Sequence, residues 1–335
     1  MKKILLKLFI GLVIILVFLS FYAGKKAKKI TYGITFSPYQ AVDLGLDWKA
    51  TYLALLDEVG VKNLRLSAYW NRVEPKQGAY DWNDLDFQIN EASKRNGKII
   101  LSVGRRLPRW PECHDPQWLK EENLQNSLLV YVEAVVKRYQ NNPTIIMWQV
   151  ENEAFHSVFG ICPKLDIALF DKEINLVKTL DPVRPIVITE SGELSLWIKA
   201  GKRGDAFGST LYRHVFSDVL NRYWVNYNPY WLYRAKGGLL KLLKGKKELM
   251  VIELQAEPWT TKGILGTPIE EQFKTMSMDK FDSILSVGRA IGFEKQYLWG
   301  GEWWYWMKQN NHPEFWEKAK GLFSAKGGSA FGGNN

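Results

Sequence analysis

TIIMWQVENEAF, residues 144–155, joins a short apolar run to a cluster of polar groups. Thr144, Ile145, Ile146 and Met147 form the run, and Gln149, Glu151, Asn152 and Glu153 follow at once. An apolar run of strand length, bounded in this way, fits a buried parallel strand that delivers a carboxylate to a cleft. Taken alone, Glu151 and Glu153 fit better as solvated charges capping the next segment. The rest of the chain changes that balance.

Strand-like and helix-like segments alternate on both sides. TYGITF (31–36), NLRLSAY (63–69) and KIILSV (98–103) precede it; PIVIT (185–189), the weak DAFGST (205–210), ELMVIEL (248–254) and QYLWG (296–300) follow. Between them lie helical stripes such as Tyr52, Leu55, Leu56 and Val59, or Leu128, Val132, Val135 and Tyr139, spaced for one buried face. Further helices are expected near 84–95, 165–180, 232–244, 270–290 and 313–320, with a shorter helical piece before the sixth strand and an aromatic-rich excursion through Trp224 and Tyr230 after it. Eight strand-then-helix units over roughly 290 residues predict an α/β fold, a (β/α)8 TIM barrel, over 30–322. A doubly wound sheet is the rival. It would place a glycine-rich phosphate loop after the first strand, and TFSPYQAVDLGLDW contains none. Residues 323–335, ending GGSAFGGNN, suit a loose tail.

The formal charge of +10 falls to +3 once Lys2, Lys3, Lys7, Lys25, Lys26, Lys28 and Lys29 are set aside. The domain is then near neutral, with no basic stripe for nucleic acid. Those lysines bracket LFIGLVIILVFLSFYAG, residues 8–24, an uncharged run at the short end of what spans a bilayer. Phe21 suits poorly the third position before a cut after Ala23. Residues 1–29 are therefore expected to be an uncleaved N-terminal signal anchor, a hydrophobic helix that holds the domain at a membrane outside the cytoplasm; cleavage would instead release it as a secreted protein. The lysines on both flanks leave the orientation open. The two cysteines, Cys113 and Cys162, follow the third and fourth strands. In a barrel these loops are neighbours, so two readings stand: a disulfide in an oxidising compartment, or two unrelated thiols.

Barrel enzymes carry their active residues at the carboxyl ends of strands. Here those ends run into Trp70 and RVEPKQGAYDW, RRLPRWPECHDPQW, ENEAF, LQAEPW after Glu253, and WGGEWWYW. Seven of the 15 tryptophans fall near that face: Trp70, Trp110, Trp148, Trp259, Trp299, Trp303 and Trp304. Some must be core. A sugar, however, offers an apolar C–H face and a rim of hydroxyls, and aromatic platforms among carboxylates and amides suit it.

On these residues the chain resembles the clan A glycoside hydrolases, barrel enzymes with their acid/base after the fourth strand and their nucleophile after the seventh. The resemblance covers nearly the whole domain: Arg65 in NLRLS, WNRVEPKQGAYDWNDLDFQI from Trp70, Asn152-Glu153, and Glu253. It implies a retaining glycoside hydrolase with Glu153 as acid/base and Glu253 as nucleophile, their carboxyl groups about 5 to 5.5 Å apart. One carboxyl must be protonated to give its proton to the leaving oxygen, the other ionised to attack the anomeric carbon. The resemblance further implies that Asn152 bonds the sugar 2-hydroxyl and that Arg65 lies below Glu253 and keeps it ionised; the alternative for Arg65 is a structural ion pair inside the barrel. The EP-G-YDW phrase is similar to β-galactosidase-like and cellulase-like branches, IEL around Glu253 to the xylanase branch. No branch matches throughout, so the sugar, and endo or exo action, stay open.

Other acids compete. Glu190, in ITESGE, is a strand-end rival as nucleophile, but one strand separates it from Glu153, whereas the spacing of Glu253 allows three strand and helix units. Glu257 in ELQAEPW is a second rival; Glu253 follows the apolar MVI directly. Glu302 is expected to bind a sugar hydroxyl or orient a side chain, and Glu151 to point away from Glu153. Trp70 and Trp259 are expected at the cleft, Tyr212 against Glu253, and Trp299 under the sugar or closing the barrel end. His114, His156 and His214 match no metal pattern such as HExxH, so no metal or cofactor is expected. The expected partner is an oligo- or polysaccharide; the oligomeric state is left open. An anchored glycan-binding protein without turnover, on the same fold, is the alternative.

Overall fold

Eight strands form where apolar runs were expected: β1 (Thr31–Thr35), β2 (Asn63–Ser67), β3 (Lys98–Val103), β4 (Ile145–Val150), β5 (Ile186–Glu190), β6 (Ala206–Leu211), β7 (Glu248–Gln255) and β8 (Lys295–Trp299). Each pairs in parallel with its neighbour in the chain, and β8 pairs with β1, which closes the barrel. This computed structural model describes residues 2–156, 159–217, 221–245 and 247–324. Residues 325–335 of the expected tail lie outside the described residues, and the last helix, Glu314–Phe323, runs one residue into that tail.

Strands of a barrel are covered on both faces, which explains runs such as IIMWQV and LMVIEL. Ile100, Met147, Val187, Ala206, Met250, Ile252 and Tyr297 fill the barrel. Ile99, Leu101, Trp148, Val150, Val251 and Leu254 belong instead to the larger core with the helices outside. Parallel neighbours need a helix between them, and Asn83–Lys94, Leu124–Tyr139, Ile167–Leu180, Tyr230–Lys244 and Met278–Ile291 supply it. The side chains of Asp47, Asp166 and Ser277 cap the first turns of the helices that follow them, satisfying N–H groups that have no partner within a helix.

One local departure from strict pleating matters for the site. Along β7, Val251 stands opposite Gln296 of β8, whereas Leu254 stands opposite Leu298, so one extra residue enters β7 between them. A matching shift against β6 puts Val251 opposite Ser209 and Glu253 opposite Thr210. Such a bulge re-aims a side chain. Without it, two-residue alternation would point Glu253 outward with Val251.

The aromatic-rich excursion after β6 is an antiparallel hairpin, His214–Ser217 with Arg222–Val225, followed by the helix Tyr230–Lys244. WGGEWWYW, noted as the end of the eighth strand, enters a helix at Gly301–Gln309. The helix expected near 270–290 divides into Ile269–Gln272 and Met278–Ile291.

The N-terminal segment is helical, as expected, from Lys2 to Tyr22. The further expectation that it crosses a bilayer gains no support, since among the described residues no helix is long and apolar enough to cross a membrane. Its end instead rests on the helix Tyr230–Lys244. Leu19 and Ala23 are buried there, and Lys241 Nζ donates to the Ala23 carbonyl at 2.6 Å.

Gly33 of β1 stands opposite Tyr297 of β8. A Cβ at Gly33 would lie 2.6 Å from two ring atoms of Tyr297 and 2.8 Å from the Asn63 carbonyl oxygen. The ring is 1% exposed and cannot retreat. Gly33→Ala is therefore expected to destabilise the barrel by about 1–3 kcal/mol, read as a lower midpoint in chemical denaturation; an unchanged midpoint would show that the interior has room there.

Candidate active site

Turned inward by the bulge, Glu253 meets two donors. Arg65 Nη1 donates to its Oε1 at 2.7 Å and the Tyr212 hydroxyl to its Oε2 at 2.9 Å. Arg65, on β2, has no exposed surface. Its Nε donates to Gln149 Oε1 at 2.8 Å and its Nη2 to Asn152 Oδ1 at 2.6 Å. Burial and then the charges of Glu253, Glu153 and Glu257 push the Tyr212 phenol well above its ordinary value, so it serves as a neutral donor.

After β4 the chain turns sharply, with Glu151 and Glu153 both at positive φ, 57° and 41°. That conformation is uncommon for residues with a side chain and is kept only where the surroundings impose it. Here the surroundings do. The Glu151 carboxylate accepts the N–H groups of Arg105 and Arg106, each at 2.6 Å, and so ties the end of β4 to the loop after β3. Glu151 thus points away from Glu153, as expected. Asn152 Oδ1 also accepts from Thr189 at 3.2 Å, which leaves its Nδ2 facing Glu112 at 3.4 Å. Glu153 N–H donates to Thr189 Oγ1 at 2.9 Å. Burial, then the charges of Glu253, Glu112, Glu190 and Glu193, push the Glu153 carboxyl well above the usual carboxylate range. Glu153 thus faces like charges, whereas the Glu253 carboxylate accepts from a guanidinium and a phenol.

A second clasp reaches across the barrel mouth. Arg109, from the loop after β3, bonds both oxygens of Glu257 and approaches Glu302 Oε2 at 3.3 Å. Its guanidinium lies over the Trp299 ring, 4.1 Å from the centroid, and Trp299 Nε1 donates to Glu257 at 2.8 Å. Ser37 N–H donates to Glu302 Oε1 at 2.6 Å. Burial raises the Glu302 carboxyl to about 7 despite Arg109. Glu257 is therefore engaged with Arg109 and Trp299 rather than with Arg65. Glu190 ends β5, accepts the Ser191 N–H at 3.0 Å and is raised by burial to about 7.

Arg65, Asn152, Glu153, Tyr212 and Glu253 thus converge, and Trp299 and Glu302 border them through Arg109. Trp259 packs edge-on against Tyr212, with centroids 5.4 Å apart. Trp70 does not reach the cleft. Its indole is fully buried, stacks on Tyr131 at 5.3 Å and donates to Glu74 at 2.8 Å. Glu74 also accepts the N–H of Gly78, a glycine at φ 73°. The WxxxEPxxG spacing is therefore a self-clasped turn rather than a sugar platform. Trp148, Trp303 and Trp304 are likewise core. Cys113 and Cys162 are bonded, with Cα atoms 5.3 Å apart.

Residues without an expected role also belong here. Arg106 Nε donates to Glu112 Oε2 at 2.9 Å, and burial raises the Glu112 carboxyl to about 7. Glu193 accepts the Tyr212 N–H and the Tyr233 hydroxyl, each at 2.8 Å. Arg106, Arg109 and Glu112 all lie in RRLPRWPE, flagged as a polar strand end; nothing in one sequence says which of its arginines turns inward.

Residues 47–161 match the model of glycosyl hydrolase family 10. Among curated proteins, the chain is 28% identical over 166 residues to the β-galactosidase BgaA of Clostridium cellulovorans, covering 43% of this chain and 25% of that one. It is 30% identical over 121 residues to endo-1,4-β-xylanase 3 of Hypocrea jecorina, covering 35% and 33%. The chain thus spans about a third or less of the length of these curated relatives. Among solved structures, the β-galactosidase of Rahnella sp. R3 aligns over 82% of this chain and 51% of its own, at 13% identity and a TM-score of 0.54, which is a likeness of fold. With the closed parallel barrel, these matches support a clan A glycoside hydrolase.

Beneath the β3 and β4 loops, Glu173 borders a cavity of about 310 Å³ and is 2% exposed. Burial, then the charge of Glu151 and a hydrogen bond to it, push the Glu173 carboxyl well above 4.5. The Glu151 carboxylate, by contrast, also receives two backbone N–H groups, which favour its charged form. A carboxyl raised in the folded state binds its proton more tightly there, so its contribution is full below 4.5 and is lost as pH rises toward the folded value. Glu173→Gln keeps a donor and removes the titration. Urea unfolding from pH 4.5 to 8 is expected to show the variant gaining stability on the wild type as pH rises; parallel curves would mean that Glu151 and Glu173 share no proton.

Proposed function

We propose that the chain is a retaining glycoside hydrolase that cleaves O-glycosidic bonds of a glycan by double displacement. The observation that carries this reading is the asymmetry of two inward carboxyls: Glu253 held by Arg65 and Tyr212, Glu153 buried among like charges and kept protonated. A glycosidase needs that division. Glu253 attacks the anomeric carbon while the bond to the leaving oxygen breaks and that oxygen takes the proton of Glu153. Water then attacks the same carbon, gives its proton to Glu153 and releases Glu253. Asn152, its oxygen occupied by Arg65 and Thr189, has only its Nδ2, beside Glu112, to offer the sugar 2-hydroxyl.

The substrate is an oligo- or polysaccharide. Relatives named for β-galactosidase, endo-1,4-β-xylanase and mannan endo-1,4-β-mannosidase activities make galactosides, xylans and mannans the first panel. The domain works outside the cytoplasm in this proposal. The bond between Cys113 and Cys162 supports that location, and the apolar surface that Ile14, Phe18 and Phe21 expose on the N-terminal helix supports attachment to a membrane.

On that panel, Glu253→Ala is expected to lose activity by several orders of magnitude, and azide to restore it in part, with product of inverted configuration. Full activity in Glu253→Ala would transfer the nucleophile's role to Glu190 or Glu257; binding without hydrolysis by the wild type would make this a glycan-binding protein. The pH profile gives a second check. The charge of Glu190 helps to raise Glu153, so Glu190→Gln is expected to move the alkaline limb of kcat/KM to lower pH; an unmoved limb would show that Glu190 does not sense the acid.

A further inference from the structure

Residues 1–29 and 219–247 each carry seven lysines and arginines and no acid. Together they hold +14 of a chain whose formal charge is +10, so all other residues sum to −4. The fold brings these two stretches onto one wall of the barrel. The N-terminal helix, Lys2–Tyr22, packs along the helix Tyr230–Lys244, and two successive glycines make the seat. A Cβ at Gly237 would meet Leu249 of β7 at 2.6 Å, and one at Gly238 would run into the Leu19 carbonyl. Arg234 Nη2 donates to the Gly24 carbonyl at 2.5 Å, and Lys26 Nζ stands 4.6 Å from the centre of the Tyr230 ring.

Apolar surface gathers on the same wall. Of the 24 large apolar side chains exposed among the described residues, nine lie on the N-terminal helix and six between Trp224 and Leu243, so most of the exposure falls on these two segments. Trp231 and Leu242 share a helical face with Gly238 and therefore flank the seat of Leu19. The hairpin before this helix carries the wall up to the rim of the cleft. Gln255 Oε1, at the end of β7, accepts the N–H groups of Arg213 and His214 at 2.9 and 3.0 Å, and Trp224 and Tyr227 stand exposed beyond them.

A contiguous apolar patch on a folded domain marks an interaction surface, and its composition narrows the partner. Lysines beside tryptophan, tyrosine and leucine suit the boundary between lipid headgroups and acyl chains, and anionic headgroups answer the charge. A second copy would present the same positive wall and repel. We infer that the N-terminal helix, the helix Tyr230–Lys244 and the hairpin before it form a docking surface for an anionic lipid bilayer, so that the barrel lies against the membrane instead of hanging from it by a tether. This rests on the proposed attachment at a membrane and adds what the barrel itself contributes.

Both native cysteines are bonded, so a single introduced cysteine can carry a nitroxide. The full chain is labelled in turn at Leu243→Cys, at Tyr227→Cys, and at Val130→Cys on the helix Leu124–Tyr139 as the control away from the wall. Each is mixed with vesicles of phosphatidylcholine alone or of phosphatidylcholine and phosphatidylglycerol in equal parts. Flotation reads attachment, and access of a water-soluble nickel reagent to the nitroxide reads its surroundings. The chain is expected to float with the anionic vesicles, with access at Leu243→Cys and Tyr227→Cys falling several-fold and access at Val130→Cys unchanged; adding Arg222→Glu and Lys244→Glu is expected to restore part of it. A chain that floats while both wall labels stay open to nickel overturns the docking and leaves the attachment standing. Equal shielding on neutral vesicles overturns the anionic partner, and shielding without vesicles assigns the wall to a second copy instead. A chain that does not float overturns the attachment, and the docking with it.

Discussion

Arg65 places a full positive charge at the top of the barrel interior with no exposed surface, and the mouth is built around its compensation. A buried guanidinium is tolerated only when its donors are met. Glu253 on β7, Gln149 on β4 and Asn152 just beyond β4 meet them. One side chain thereby fixes three others on opposite sides of the barrel. Its planar fork specifies angles as well as charge, so the position of Glu253 and the orientation of the Asn152 amide are set together.

The clasp also explains how two glutamates in one cavity come to differ. Glu253 receives a guanidinium and a phenol, whereas Glu153 receives a backbone tether through Thr189 and faces carboxyls. Only one of the two has its charge answered. The surplus acids Glu112, Glu190 and Glu302, each raised to about 7 by burial, sit where partial protonation keeps the mouth from accumulating charge. The second clasp, Arg109 with Glu257 and Glu302, balances the other side.

Much of this was legible in the residues. The eight strands lie within one to three residues of their apolar runs, because strands covered on both faces need continuous hydrophobicity. Arg65, Asn152, Glu153 and Glu253 were named in advance, and they converge. What escaped was geometry that one residue decides. The bulge at Ile252–Glu253 leaves no mark in ELMVIEL. The positive φ of Glu151 and Glu153 runs against the preference of glutamate, so only the tertiary bonds of the Glu151 carboxylate account for it. Trp70 was misplaced because a phrase that marks a family can do so through a self-clasped turn. The helix after β8 escaped because Gly300 and Gly301 suggest a loop.

The disulfide between Cys113 and Cys162 closes a covalent ring across a sequence separation of 49. That ring contains the helix Leu124–Tyr139, all of β4 and Glu153. A protease that cuts anywhere inside it leaves both fragments of the chain joined, and the parallel pairing of β4 with β3 and β5 then holds the cut ends near their places. The segment that carries the proposed acid is thus the one least exposed to loss by nicking.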